Sequence, residues 1–210
     1  MWCHFHVNTF CCAAPLSCGN LSGTTAHWKK KMAVRKKSET IHLRVKPISK
    51  ALLEGLANST GKTSTQVIED LITAAAEKFI ITDVEALIDE DTLDDGQLSL
   101  KSALESAHYP DEPILTKLRT YYIAGDALSV RDSIIAATII QTPKFFSGNT
   151  QIFSISDGFI NRDHLSDIPK IDLDEISKRM SSLEDFAAFR EKNPNWTSSY
   201  AGFLKMTGED

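Results

Sequence analysis

Polar and apolar residues alternate without a break from Thr40 to Lys46 (Thr-Ile-His-Leu-Arg-Val-Lys), and Pro47 closes the run. A period of two predicts a β-strand with Ile41, Leu43 and Val45 on one face and Thr40, His42, Arg44 and Lys46 on the other. The period then lengthens. Ile48, Leu52, Leu53, Leu56 and Ala57 recur at helical spacing, and Pro47 can open the first turn because it has no N–H to leave unbonded. Gly61 predicts a left-handed cap, and Thr63-Ser-Thr-Gln66 fits a capping box that starts a second helix. Val67, Ile68, Leu71, Ile72, Ala75 and Phe79 form that helix's apolar stripe. Strand, helix, turn and helix occupy roughly 40 residues, a small core for one copy. Pairing with the same strand of a second chain would cover it, packing Ile41, Leu43 and Val45 on Leu52, Leu56, Ile68 and Leu71.

Beyond Phe79 the pattern loosens. Residues 81–112 are acidic and interrupted (Asp83-Val-Glu85, Asp89-Glu-Asp91, Asp94-Asp95-Gly96), which predicts a linker holding one or two short helices. A second folded region is expected over 113–193, mostly helical, with helices at Ile114–Ile123, Ala127–Ile140, Leu173–Met180 and Leu183–Lys192. Thr150–Ser156 has the β-branched and aromatic content of a strand. Residues 194–210 read as a loop-like tail. No apolar run reaches the ~18–20 residues needed to span a bilayer, so the expectation is a cytoplasmic protein with no membrane partner.

Charge sharpens this plan. Residues 1–28 hold no Lys, Arg, Asp or Glu; Lys29–Lys62 hold ten Lys/Arg against two acids, a net of +8; from Thr63 onward thirteen Lys/Arg face twenty-six Asp/Glu, a net of −13. A basic block ahead of an acidic body suggests a polyanion-binding head, with a partnerless basic tail as the plainer alternative. All four cysteines (Cys3, Cys11, Cys12, Cys18) precede residue 19, which suits a reducing compartment and excludes a disulfide scaffold in the body. As a secretory signal the leader fails, since no positive charge precedes its short apolar stretch. As a zinc site, its Cys and His spacing matches no paired-ligand pattern. The preferred reading is translation from Met32, with 1–37 a non-native or disordered leader plus basic arm.

Laid out this way, residues 38–80 resemble the ribbon-helix-helix (MetJ/Arc/CopG-like) DNA-binding family. The matching features are the strand Thr40–Pro47, the helix Ile48–Ser59, the Gly61-Lys62-Thr63 turn and the helix from Ser64 to Phe79. The resemblance covers about a fifth of the chain. It implies an intertwined homodimer whose paired strands enter the major groove of double-stranded DNA, with Thr40, His42 and Arg44 reading base edges. Arg44 suits the two acceptors of guanine, a contact worth about 1–3 kcal/mol of discrimination. Lys46 at the strand end, and Lys62, Thr63, Ser64 and Thr65 at the start of the second helix, suit phosphate. Arg35, Lys36 and Lys37 would follow the backbone without reading sequence.

Other signals in the chain are weaker. Gly55 to Thr63 resembles a P-loop with one residue too many between its glycines and no strand before it. The acids of 83–95 lack calcium-loop spacing. Asp157-Gly158 and Arg162-Asp163-His164 form the one polar cluster of the second region that tempts a catalytic assignment, and turn chemistry suffices for Asp-Gly. No catalytic residue, metal or cofactor is assigned. The leading expectation is a nucleoid- or plasmid-associated transcriptional regulator, its C-terminal region taking an effector, a protein partner or a toxin. Antitoxin and plasmid partition or conjugation accessory roles fit the same head. The competing class is a protein-interaction or enzymatic C-terminal domain with a head that only dimerises.

Overall fold

A computed structural model describes residues 40–82, 87–93 and 95–208. The chain divides into two units, Met1–Arg44 and Val45–Asp210. Of the first, residues 40–44 are described, and they are exposed and carry no strand. The strand expected over Thr40–Lys46 is thus absent from the single chain. A strand is defined by ladder bonds to a neighbour, and the pairing expected for this alternation is with a second chain.

The second unit is mostly helical, with short two-stranded sheets. It opens with α1 (Pro47–Thr60) and α2 (Ser64–Lys78). Local chemistry fixes both ends of the turn between them. Gly61 adopts φ 67°, and the N–H groups of Gly61 and Lys62 reach back to the Ala57 carbonyl, closing α1. Thr63 Oγ1 accepts from the Gln66 N–H at 3.2 Å while Gln66 Oε1 accepts from the Thr63 N–H at 2.9 Å, the reciprocal cap read from the sequence. The two helices pack on each other, and Ala57 of α1 and Val67 of α2 are buried.

The stretch expected as a linker joins the fold. β1 (Ile80–Ile81) pairs antiparallel with β2 (Leu98–Ser99), and α3 (Leu100–Ala107) packs on α2 and α4 (Pro113–Ala124). Ile88, Leu98, Ala103 and Ala107 all enter the main core, while Glu90, Asp91 and Asp95 stay exposed. Lys101 Nζ meets Glu77 Oε1 at 2.7 Å, tying α3 to α2; that bond raises the Lys101 pKa. Isolated apolar residues between acids show no period, which is why the pattern read as a linker.

The rest of the core is built by α5 (Val130–Gln141), α6 (Pro143–Phe146), β3 (Ser147–Gln151), β4 (Lys170–Ile171), α7 (Leu173–Lys178), α8 (Met180–Lys192) and α9 (Tyr200–Thr207). α5 begins later than expected because Ser129 caps it, its Oγ accepting the Asp132 N–H at 3.1 Å. Lys117 Nζ donates to Asp132 at 2.6 Å. Desolvation pushes that carboxyl up, and the bonds from Lys117 and Ser129 outweigh it and hold the pKa low. The strand expected at Thr150–Ser156 lies instead at Ser147–Gln151, since Ser154 and Asp157 cap a tight turn over Ile155–Asp157. The tail also differs. Tyr200 is 2% exposed, and its ring meets those of Phe145, Phe146 and Phe186 with centroids 5.5–5.8 Å away.

One glycine of this body has no room for a side chain. A Cβ on Gly148 would lie 2.6 Å from both the Asp172 Cα and the Ile171 carbonyl oxygen. Gly148→Ala should therefore push β3 from β4, costing about 1–3 kcal/mol. Chemical denaturation would read this as a lower midpoint at unchanged slope; an unshifted midpoint would mean the strands yield freely.

Candidate nucleic-acid interface

Thr40, His42 and Arg44 each stand exposed, as the base-reading assignment requires of them. So do their apolar alternates. Ile41 is 73% exposed and Leu43 66%, so this row is uncovered in the single chain. The same holds on the helices. Ile48, Leu52 and Leu56 recur at i, i+4 and i+8 along α1, and Leu71 and Ile72 sit on α2, all exposed. Ile68 is half-buried. Within the second unit these helices thus bury Ala57 and Val67 and leave most of their large aliphatic side chains in water. Most large apolar residues exposed among the described residues fall between Ile41 and Ile80. Scattered exposed leucines are ordinary, whereas these concentrate on and beside one helix pair.

The phosphate-contacting candidates divide by their bonding. Lys46 is exposed at the N-cap of α1, in extended backbone at φ −65° and ψ 150°, and no acid occupies the helix's first turn. At α2 the capping box consumes the Thr63 and Gln66 N–H groups, and Val67 N–H bonds the Thr63 carbonyl at 3.0 Å. The N–H groups of Ser64 and Thr65 remain at the open end of the helix, where the dipole favours an anion. Lys62 stands beside them, its Nζ 2.6 Å from Asp70 Oδ2 in an exposed pair. Such pairs are worth about 0–1 kcal/mol, so a phosphate can compete for the ammonium. Arg35, Lys36 and Lys37, with the leader's cysteines and Met32, lie outside the described residues.

The polar cluster of the body resolves into structure. Asn161 Oδ1 accepts the Asp163 N–H at 3.1 Å, starting a 3-10 turn over Arg162–Asp167 in which His164 pairs with Asp167 at 3.5 Å. Asp157 turns inward to Arg119, a buried arginine that sequence reasoning missed. Its position was the available signal: Leu115, Arg119 and Ile123 fall at i, i+4 and i+8, so Arg119 lies within the buried stripe of α4. Among the described residues, no His, Cys, Asp and Glu side chains cluster to hold a metal, and no helix is long and apolar enough to cross a membrane. Compared with family models, curated proteins and solved structures, the chain matches none.

Proposed function

We propose that the chain is a sequence-specific DNA-binding transcriptional regulator of ribbon-helix-helix type. In this reading two copies pair their Thr40–Lys46 segments into an antiparallel ribbon that lies in the major groove. The carrying observation is the helix pair α1–α2. Its ends are closed by a glycine cap and a capping box, it follows an alternating basic segment, and its large aliphatic stripe stands in water. A second copy would cover that stripe and supply the missing strand at once.

Thr40, His42 and Arg44 would then face base edges. Lys46, Lys62, Thr63, Ser64 and Thr65 would hold phosphates, with Arg35, Lys36 and Lys37 following the backbone. The net of +8 over Lys29–Lys62 supplies salt-sensitive affinity. The body's core, which takes in residues from Ile88 to Leu204, favours an effector- or partner-responsive regulator over an antitoxin, whose toxin-binding part is usually shorter and less structured.

The test is selection of bound sequences from a random duplex library with the full chain at moderate salt. Enrichment of a short repeated or palindromic motif is expected. Arg44→Ala should relax the preference at one guanine position per half-site by about 1–3 kcal/mol. Retention without an enriched motif, lost as salt rises, would reduce the head to a phosphate-binding arm and overturn the reading.

A further inference from the structure

We propose that a groove in the body binds a small amphipathic carboxylate, its apolar part against Ile155, Leu165 and Ile168 and its head between Arg162 and Lys170. The groove has a volume of about 280 Å³, near the small end of ligand pockets, and runs between the end of β3 and the turn Arg162–Asp167. Its floor is apolar and buried: Ile152 is 2% and Phe153 4% exposed. Leu165 and Ile168 form a wall, and Ile155 stands at the lip, 67% exposed. An isoleucine held so far into water beside an open groove loses solvent contact when an apolar ligand enters.

Charge selects the ligand's head. From Thr63 onward the chain has twice as many acids as bases, and six of its thirteen cations, Lys101, Lys117, Arg119, Arg131, Lys178 and Arg179, each hold a carboxylate. Arg162 and Lys170 both line this groove, neither has a carboxylate partner among the described residues, and no Asp or Glu lines it with them. Two unpaired cations over an apolar floor complement one anionic head on a short hydrophobic body.

The groove is also preformed. Gln151 pairs with Lys170 across β3 and β4, fixing one rim. Beneath the floor, Arg119 Nε donates to the Ile152 carbonyl at 3.0 Å and its guanidinium lies 5.2 Å from the Phe153 ring centre. The Phe153 ring is further set edge-on against Tyr122 and Phe159. A floor held from below loses little entropy on binding.

Calorimetric titration of the full chain with octanoate, 3-phenylpropionate, butyrate and octanol tests this, independently of DNA binding. Octanoate or phenylpropionate should bind saturably, one per chain, with a Kd below about 1 mM. Butyrate, which lacks the apolar body, and octanol, which lacks the charge, should bind at least about tenfold more weakly. The exposed pair Arg162→Gln/Lys170→Gln should lose at least about tenfold in octanoate affinity with an unchanged melting temperature. No saturable binding by either larger acid overturns the proposal. So does octanol binding as well as octanoate, or octanoate affinity that survives the double substitution.

Discussion

Arg119→Ala is expected to destabilise the body by about 3–5 kcal/mol, a large share of the stability of a domain this size. The arginine side chain is 5% exposed. Its guanidinium bonds the Asp157 carboxylate and the Ile152 carbonyl, and lies within 5.2–5.8 Å of the ring centres of Tyr109, Phe153 and Phe159. Asp157 in turn accepts the Ser154 N–H at 2.8 Å, so one ion pair fastens α4 to the loop after β3. Truncation would leave a carboxylate 22% exposed with no cation and a carbonyl with no donor, and open a void among three rings. The size of the loss comes from what is stranded rather than from the worth of the pair. Arg119→Met with Asp157→Asn removes both charges together and should recover a good part of it. Urea unfolding of the single and double variants reads this directly. A single-variant loss below about 1 kcal/mol would mean that water reaches Asp157 and replaces the guanidinium.

Arg119 also shows where sequence reading stops. The helix pair was legible because each signal is local: Pro47 in the first turn, stripes at helical spacing, Gly61 at the stop, and Thr63 with Gln66 at the restart. α4, α5 and α8 were legible for the same reason, with boundaries displaced by caps such as Ser129. Ile88, Leu98 and the residues of α9 were missed because each is buried by partners distant in sequence. Ile88 bridges Ile160, and Tyr200 packs on Phe145, Phe146 and Phe186. An arginine defaults to the surface in any sequence reading; its burial follows from Asp157, thirty-eight positions away. The groove beside it was invisible for a related reason. Gln151 and Lys170 become neighbours only through strand pairing, and an unpaired cation is recognised only once the acids have found their own partners.

The head inverts that logic, since in the proposed reading its partner is a second copy of the chain. Leu52 is 61% exposed and Leu56 45% in the single chain. Glutamine is close to leucine in helix propensity, so Leu52→Gln/Leu56→Gln should change a monomer's stability by well under 1 kcal/mol. If a second copy covers α1, burying the exposed half of each leucine contributes about 1 kcal/mol per side chain per copy, so the pair of substitutions weakens dimerisation by about 4 kcal/mol. Sedimentation equilibrium should show a wild-type dimer shifted to monomer, and the concentration dependence of the wild-type melting temperature should disappear. Ribbon reading requires both strands, so specific DNA affinity should fall toward the non-specific level, by about a thousandfold or more. Neither leucine is assigned to touch DNA, and neither substitution alters charge, so that loss would report assembly rather than electrostatics. A wild-type chain that sediments as a monomer, with DNA binding indifferent to both substitutions, would leave the stripe for another partner and remove the ribbon's structural basis.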